Sequence, residues 1–186
     1  MDHEYMIWVI GGPAGSGKTT VAEYLKETYS APYVEGDELH SQTNIKKMSE
    51  GIALTDEDRI PWLGKIGPEA YAALKKDNAK IAFVTCSSLR KKYRDLIRQS
   101  VRELRDRNGV SIGVRFLFIT ASEDTLTARI KLRKYHYMKE SMVISQVQTM
   151  ELPTLSEQVD TVIINATGKS KEEVEALSLA AVKSNK

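Results

Sequence analysis

Apolar residues fall along this chain in two alternating patterns. Met6-Ile7-Trp8-Val9-Ile10, Ile81-Ala82-Phe83-Val84-Thr85-Cys86 and Val114 to Ile119 are short runs with almost no polar interruption. Such runs predict strands buried on both faces. Ala31-Pro32-Tyr33-Val34 and Val162-Ile163-Ile164 predict two more. Between them the period changes. Val21, Ala22, Leu25 and Tyr29 recur at helical spacing after Lys18. Leu89, Tyr93, Leu96, Ile97, Val101 and Leu104 mark one face of another helix. Leu54 to Lys80 predicts a helix of weak periodicity, and a Glu- and Ala-rich helix from about Lys171 to Val182 closes the chain. Buried strands separated by amphipathic helices imply an α/β domain with a parallel sheet covered on both faces. Ligands then bind at the carboxyl ends of the strands. The polar, basic stretch from Lys131 to Glu157 predicts a mobile insertion within a single domain of residues 1–186.

Composition narrows the classes. At 186 residues, with 41% hydrophobic and 28% charged positions, the chain has one core and is too apolar for disorder. A formal net charge of +2 gives no field suited to nucleic acid or an anionic membrane. Its one cysteine, Cys86, excludes an intrachain disulfide, and three histidines without ligand spacing argue against structural zinc. Met1-Asp2-His3-Glu4 carries acids where a signal peptide needs basic residues, and no apolar run approaches a membrane span. The expectation is a cytoplasmic protein.

The chemistry starts where the first strand ends. Gly12-Pro13-Ala14-Gly15-Ser16-Gly17-Lys18-Thr19 matches the phosphate-loop pattern, placed after a buried strand and before an amphipathic helix. Glycines let backbone N–H groups turn toward phosphate oxygens, and the helix start adds a positive dipole end. Lys18 supplies a charge for the β- and γ-phosphates, and Thr19 a hydroxyl for Mg²⁺. The candidate nucleotide contacts are Gly12 to Thr19 with Thr20. This points to ATP and Mg²⁺ but leaves the reaction open. No guanine-reading Asn-Lys-x-Asp follows, and the third strand ends in Thr85-Cys86-Ser87-Ser88 without a Walker-B aspartate. An acid must come from elsewhere. Glu35 and Asp37, after the second strand, lie two residues apart and share a face if the segment is extended. One fits a magnesium site, the other the acceptor hydroxyl. A solvated acidic turn is the alternative.

Glu35-Gly36-Asp37-Glu38-Leu39-His40, Asn44, Lys47-Met48, Gly51, Leu54-Thr55-Asp56, Asp58-Arg59 and Pro61-Trp62-Leu63 together resemble the gluconokinase family. Cys86-Ser87-Ser88-Leu89 with Tyr93-Arg94-Asp95, Arg133 with His136, and Ser145-Gln146 with Thr149 and Glu151-Leu152-Pro153 extend the resemblance to residue 153. Ser41, Arg90, Tyr135, Tyr137 and Met150 depart from the family's usual residues. The resemblance implies a three-layer P-loop kinase fold, with a five-stranded parallel sheet and a lid. It also implies ATP-dependent phosphorylation of D-gluconate, and often a homodimer. By resemblance to the wider kinase group, Arg129 would stack on adenine and Arg133 would reach the transferring phosphoryl group.

A sugar acid needs cations for its carboxylate and mixed donors and acceptors for its hydroxyls. His40, Arg59, Arg90 and Arg94 are the candidates for these contacts, Asp37 the holder of the reacting hydroxyl, and His136 a contact from the lid. Each has a plainer reading. Arg59 sits among the acids of a helix start, and Arg90-Lys91-Lys92 also reads as a solvated helix face. A kinase for another small acceptor (shikimate, adenylylsulfate or a nucleotide) and a non-catalytic ATP-binding module are the competing functions.

Overall fold

The computed structural model describes residues 3–132 and 140–185, and, of residues 140–143, the backbone alone. The chain runs β1 (Tyr5–Gly11), α1 (Lys18–Tyr29), β2 (Tyr33–Glu35), a 3-10 turn (Gly36–Leu39), α2 (Gln42–Ser49), α3 (Asp56–Lys76), β3 (Ile81–Thr85) and α4 (Lys91–Asn108). It continues with β4 (Ile112–Thr120), α5 (Glu123–Lys131), α6 (Glu140–Thr149), a second 3-10 turn (Leu155–Glu157), β5 (Thr161–Asn165) and α7 (Lys171–Ser184).

The strands form one five-stranded sheet in the order β2-β3-β1-β4-β5, with every neighbouring pair parallel. Alternation along the strands divides the core. Trp8, Ile10, Phe83, Leu117 and Ile119 pack on one face against Val21, Leu25, Leu126, Ile130, Val174 and Val182 of α1, α5 and α7. Ile7, Val9, Val84 and Phe116 pack on the other against Trp62, Leu63, Ile66, Tyr93, Ile97 and Val101 of α3 and α4. That is why the central strands β1 and β3 are almost wholly apolar: each is covered twice. β1 is central, and the chain crosses from β3 on one side of it to β4 on the other. The crevice beyond β1 is therefore the switch point where such sheets take ligands.

The structure adds two features to the sequence reading. Helix α2 was not signalled, because its apolar residues make no buried stripe: Ile45 is exposed and Asn44 is its one buried side chain. It is held by caps and polar staples. The Ser41 hydroxyl accepts the Asn44 N–H, Asn44 Nδ2 donates to the Asp58 carbonyl at 2.8 Å, and Lys47 pairs with the Asp58 carboxylate at 2.7 Å. Within the 131–157 insertion, the described part carries a helix and a buried anchor. Glu157 is 4% exposed and ion-paired to Arg94 at 2.7 Å and Arg98 at 3.1 Å. Burial alone would raise its pKa, but the Arg94 hydrogen bond, the Thr154 backbone amide and Arg98 bring it down to about 2. No helix among the described residues is long and apolar enough to cross a membrane.

Candidate active site

The phosphate loop curls hard against the end of β4. Gly12 has φ +129°, and a Cβ there would lie 2.0 Å from the Ile119 carbonyl oxygen, so only glycine fits. Lys18 Nζ donates to the Pro13 carbonyl at 3.0 Å, folding over the loop. Two cavities meet the loop from opposite sides. A cleft of about 690 Å³ takes in Ala14, Lys18, Asp37 and His40, and is walled by α3, the β3–α4 connection and α6. A smaller cavity of about 360 Å³ is lined by Ser16, Gly17, Thr20, Val21, Arg129 and Lys169. Arg129 is fixed there, donating to the carbonyls of Ser16 (3.4 Å), Ala166 (3.2 Å) and Lys169 (3.4 Å).

Glu35 and Asp37 have separate partners. A Cβ on Gly36 would lie 1.9 Å from the Thr85 carbonyl oxygen, so glycine alone lets the chain leave β2 here. The segment turns into a 3-10 helix instead of staying extended, which corrects the shared-face expectation. Glu35 faces hydroxyls. It accepts from Tyr33 at 2.5 Å, from Thr85 and, at 3.4 Å, from Thr19. Thr85 in turn accepts the Gly36 N–H at 3.2 Å. A hydroxyl and a carboxylate side by side are hard oxygen donors of the kind magnesium takes. Among the described residues no cluster of three or more His, Cys, Asp or Glu side chains could hold a metal ion. Thr19 and Glu35 thus fit an ion that takes its other ligands from phosphate and water. Asp37 lines the cleft instead. Burial raises its pKa; Lys18 opposes this and Glu35 adds to it.

The far wall is made of side chains. His40 stacks on Trp62 with ring centroids 3.9 Å apart, and the indole N–H donates to the Gly36 carbonyl at 2.7 Å. Burial, with Arg59 nearby, lowers the His40 pKa to about 4. The imidazole is therefore neutral near pH 7, a hydrogen-bonding group suited to hydroxyls. Arg59 donates to the carbonyls of Leu54 and Thr55, not to the acids around it. Its guanidinium lies 5.6 Å from the Tyr93 ring centre, and that of Arg90 lies 5.9 Å from the same ring. The Tyr93 hydroxyl donates to Asp56 at 2.6 Å, and Arg90 stands 3.7 Å from that carboxylate. Ser145, Gln146 and Thr149 of α6 close the cleft opposite.

An AAA-domain family model matches residues 9–151 of the chain. A probable gluconokinase of Schizosaccharomyces pombe is 42% identical over 173 residues, covering 93% of this chain and 86% of that protein. This chain belongs to the gluconokinase family. The thermosensitive gluconokinase of Escherichia coli is 37% identical, with 81% of this chain and 74% of that protein covered. The crystal structure of a gluconokinase from Sinorhizobium meliloti superposes with a TM-score of 0.79 at 34% identity, covering 98% of this chain and 94% of that one. The α/β P-loop kinase fold expected from sequence is thereby established.

Against that gluconokinase framework, Lys18, Asp37, His40, Arg59 and Arg90 meet in one cleft, with Thr19 and Glu35 beside them. Arg94 does not. It is 0% exposed, ion-paired to Glu157, and donates to the carbonyls of Ser88 (3.1 Å), Leu89 (3.3 Å) and Glu151 (3.0 Å). It is a strut under the β3–α4 connection, with every donor turned inward, so the expected substrate contact is withdrawn. Arg133 and His136 lie outside the described residues. Sequence reasoning assigns no role to Tyr33 and Thr85, which orient Glu35, and quotes Trp62 and Tyr93 only in the strings that carry the resemblance, not as side chains that shape the cleft wall. Thr85 had left a signal, a polar residue closing an apolar strand run. Cys86, just beyond it, is buried, and burial pushes its thiol up to about 12, so it is no nucleophile.

Proposed function

We propose that this chain transfers the terminal phosphoryl group of ATP to the terminal hydroxyl of D-gluconate, giving 6-phospho-D-gluconate and ADP. The observation that carries this reading is the cleft itself. It has a lysine and a carboxylate at the phosphate loop and two arginines on the opposite wall. A linear polyhydroxy acid has the matching ends: a primary hydroxyl to react and a carboxylate to anchor.

Each residue then has a task. The Ala14–Thr19 backbone and Lys18 hold the phosphate chain, with the base in the cavity beside Arg129. Thr19 and Glu35 would hold magnesium, which when bound offsets phosphate charge. Asp37 accepts a hydrogen bond from the acceptor hydroxyl, aligns it, and takes its proton as the new P–O bond forms. Its raised pKa makes it a stronger base than an exposed aspartate. Arg59 and Arg90 bind the sugar-acid carboxylate with charge-assisted hydrogen bonds. Neutral His40 donates to or accepts from a chain hydroxyl. Arg133, from the lid, adds positive charge to the phosphoryl group in flight.

The test is a coupled ADP-release assay over a panel of acceptors: gluconate, other six-carbon sugar acids, shikimate, adenylylsulfate and nucleoside monophosphates. Gluconate is expected to stimulate release far above the rest. Stimulation by another acceptor and not by gluconate overturns the substrate assignment.

A further inference from the structure

One contact links the lid to the phosphate loop. The Gln146 side-chain oxygen, from α6, accepts the Ala14 N–H at 2.8 Å, across 132 residues of sequence. Its position is well held. Val147, the next residue, packs against the core on the α1/α5/α7 face. The Thr149 hydroxyl donates to the Ser145 carbonyl at 2.8 Å, and just past the helix the Glu151 N–H donates to the Leu89 carbonyl at 2.8 Å.

The two cavities say which part of a nucleotide meets this contact. Ser16, Gly17 and Thr20 face the smaller cavity with Arg129. Ala14 and Lys18 face the large cleft with Asp37. A nucleotide lying along the loop therefore has its base end in the first and its last phosphate in the second, against the Ala14 amide. A phosphate oxygen is an acceptor, as is the Gln146 carbonyl oxygen, so the two compete for one N–H. The same carboxamide carries two donors on its other end, and a half-turn about its last bond exchanges them.

We propose that Gln146 is the residue through which the lid distinguishes a third phosphate from a second. When a terminal phosphate takes the Ala14 N–H, Gln146 releases that amide and donates its own N–H to the phosphate. A diphosphate does not extend that far, so the Gln146–Ala14 bond persists. Gln146 is thus a positioning residue for the group to be transferred, and it gives α6 a reason to close on the triphosphate and to loosen after transfer. The inference rests on the kinase reading but on no particular acceptor.

The test is calorimetric titration of the intact protein with the magnesium complexes of ADP and of the imido analogue of ATP, without acceptor. Gln146 is half-buried, so Gln146→Leu and Gln146→Glu are both compatible with the fold, checked by thermal melting. Gln146→Leu is expected to weaken the triphosphate analogue about tenfold and ADP by less than about twofold, the loss of one charge-assisted hydrogen bond. Gln146→Glu, which sets a carboxylate against the terminal phosphate, is expected to weaken the analogue further, by about thirtyfold or more, with ADP again little changed. Equal shifts for both nucleotides would reduce Gln146 to a loop support. No shift, or tighter analogue binding in Gln146→Leu, would overturn the proposal outright. Because no acceptor is present, none of these outcomes touches the gluconate assignment.

Discussion

On the proposed nucleotide side of the cleft, the binding groups are chiefly backbone amides of one continuous loop, and their placement needs glycines and a following helix. On the acceptor side they are side chains from three separate segments: Asp37 and His40 after β2, Arg59 in α3, and Arg90 before α4. Packing beneath holds them. Trp62 lies under His40, and Tyr93 lies beside Arg59 and Arg90. The first kind of site is local and tolerates little variation. The second is assembled by tertiary contacts, so residues four apart can have opposite fates. Arg90 faces the cleft, while Arg94 is sealed beneath it. Substrate choice can therefore change on one wall while the phosphate grip on the other stays intact.

The largest effect expected is at the junction of the two sides. Asp37→Asn keeps the shape but removes the proton acceptor, and kcat should fall on the order of 10³-fold. ADP affinity should change by much less, since the loop's amides and Lys18 all stay in place. An equal loss of ADP binding would show that the two sides are not separable.

Next comes the pair of arginines. Arg94→Met leaves Glu157 buried without its main partner and should cost about 3–5 kcal/mol of stability in denaturant unfolding. In the fraction that folds, the acceptor KM should be unchanged. Arg90→Met should do the reverse: a stability change below about 1 kcal/mol, because its ion pair is long, at 3.7 Å, and only half-buried, but an acceptor KM raised about tenfold or more. Exchanged phenotypes would break the distinction drawn between them.

A further effect, spread over about two pH units or more, is a pH dependence of stability. The unfolded His40 imidazole takes up a proton near its ordinary value of 6.5, whereas the folded one holds off until about 4. The unfolded state thus binds more protons across that window, and stability falls as pH drops from about 6.5 toward 4. His40→Gln should flatten that part of the unfolding profile. An unchanged slope would mean that the stacked imidazole titrates normally.

The same contrast explains what could be read from the sequence. β1, β3 and β4 are legible because central strands covered on both faces have few polar positions. The phosphate loop was legible because its chemistry is written in consecutive residues. The Glu35–Asp37 pair was legible as a pair, but its division of labour depends on Gly36 meeting the Thr85 carbonyl, 49 residues away. Arg94 misled because its partner Glu157 lies 63 residues on. A clue was present: Arg94 precedes Ile97 by three and Val101 by seven, on the buried face of α4. Helix α2 gave no clue, since capping and ion pairs leave no periodic trace.

Cys86 carries a practical consequence. The chain's one thiol is buried in the core at the carboxyl end of β3, one residue from the cleft-lining Ser87, and the Cys86 N–H is tied to the Ile10 carbonyl at 3.2 Å. A reagent in solution reaches it only when those strands' ends part. Its labelling rate with a disulfide or maleimide therefore clocks how often the floor of the catalytic crevice breathes. Substrates that clamp the crevice shut should slow that clock with no engineered cysteine.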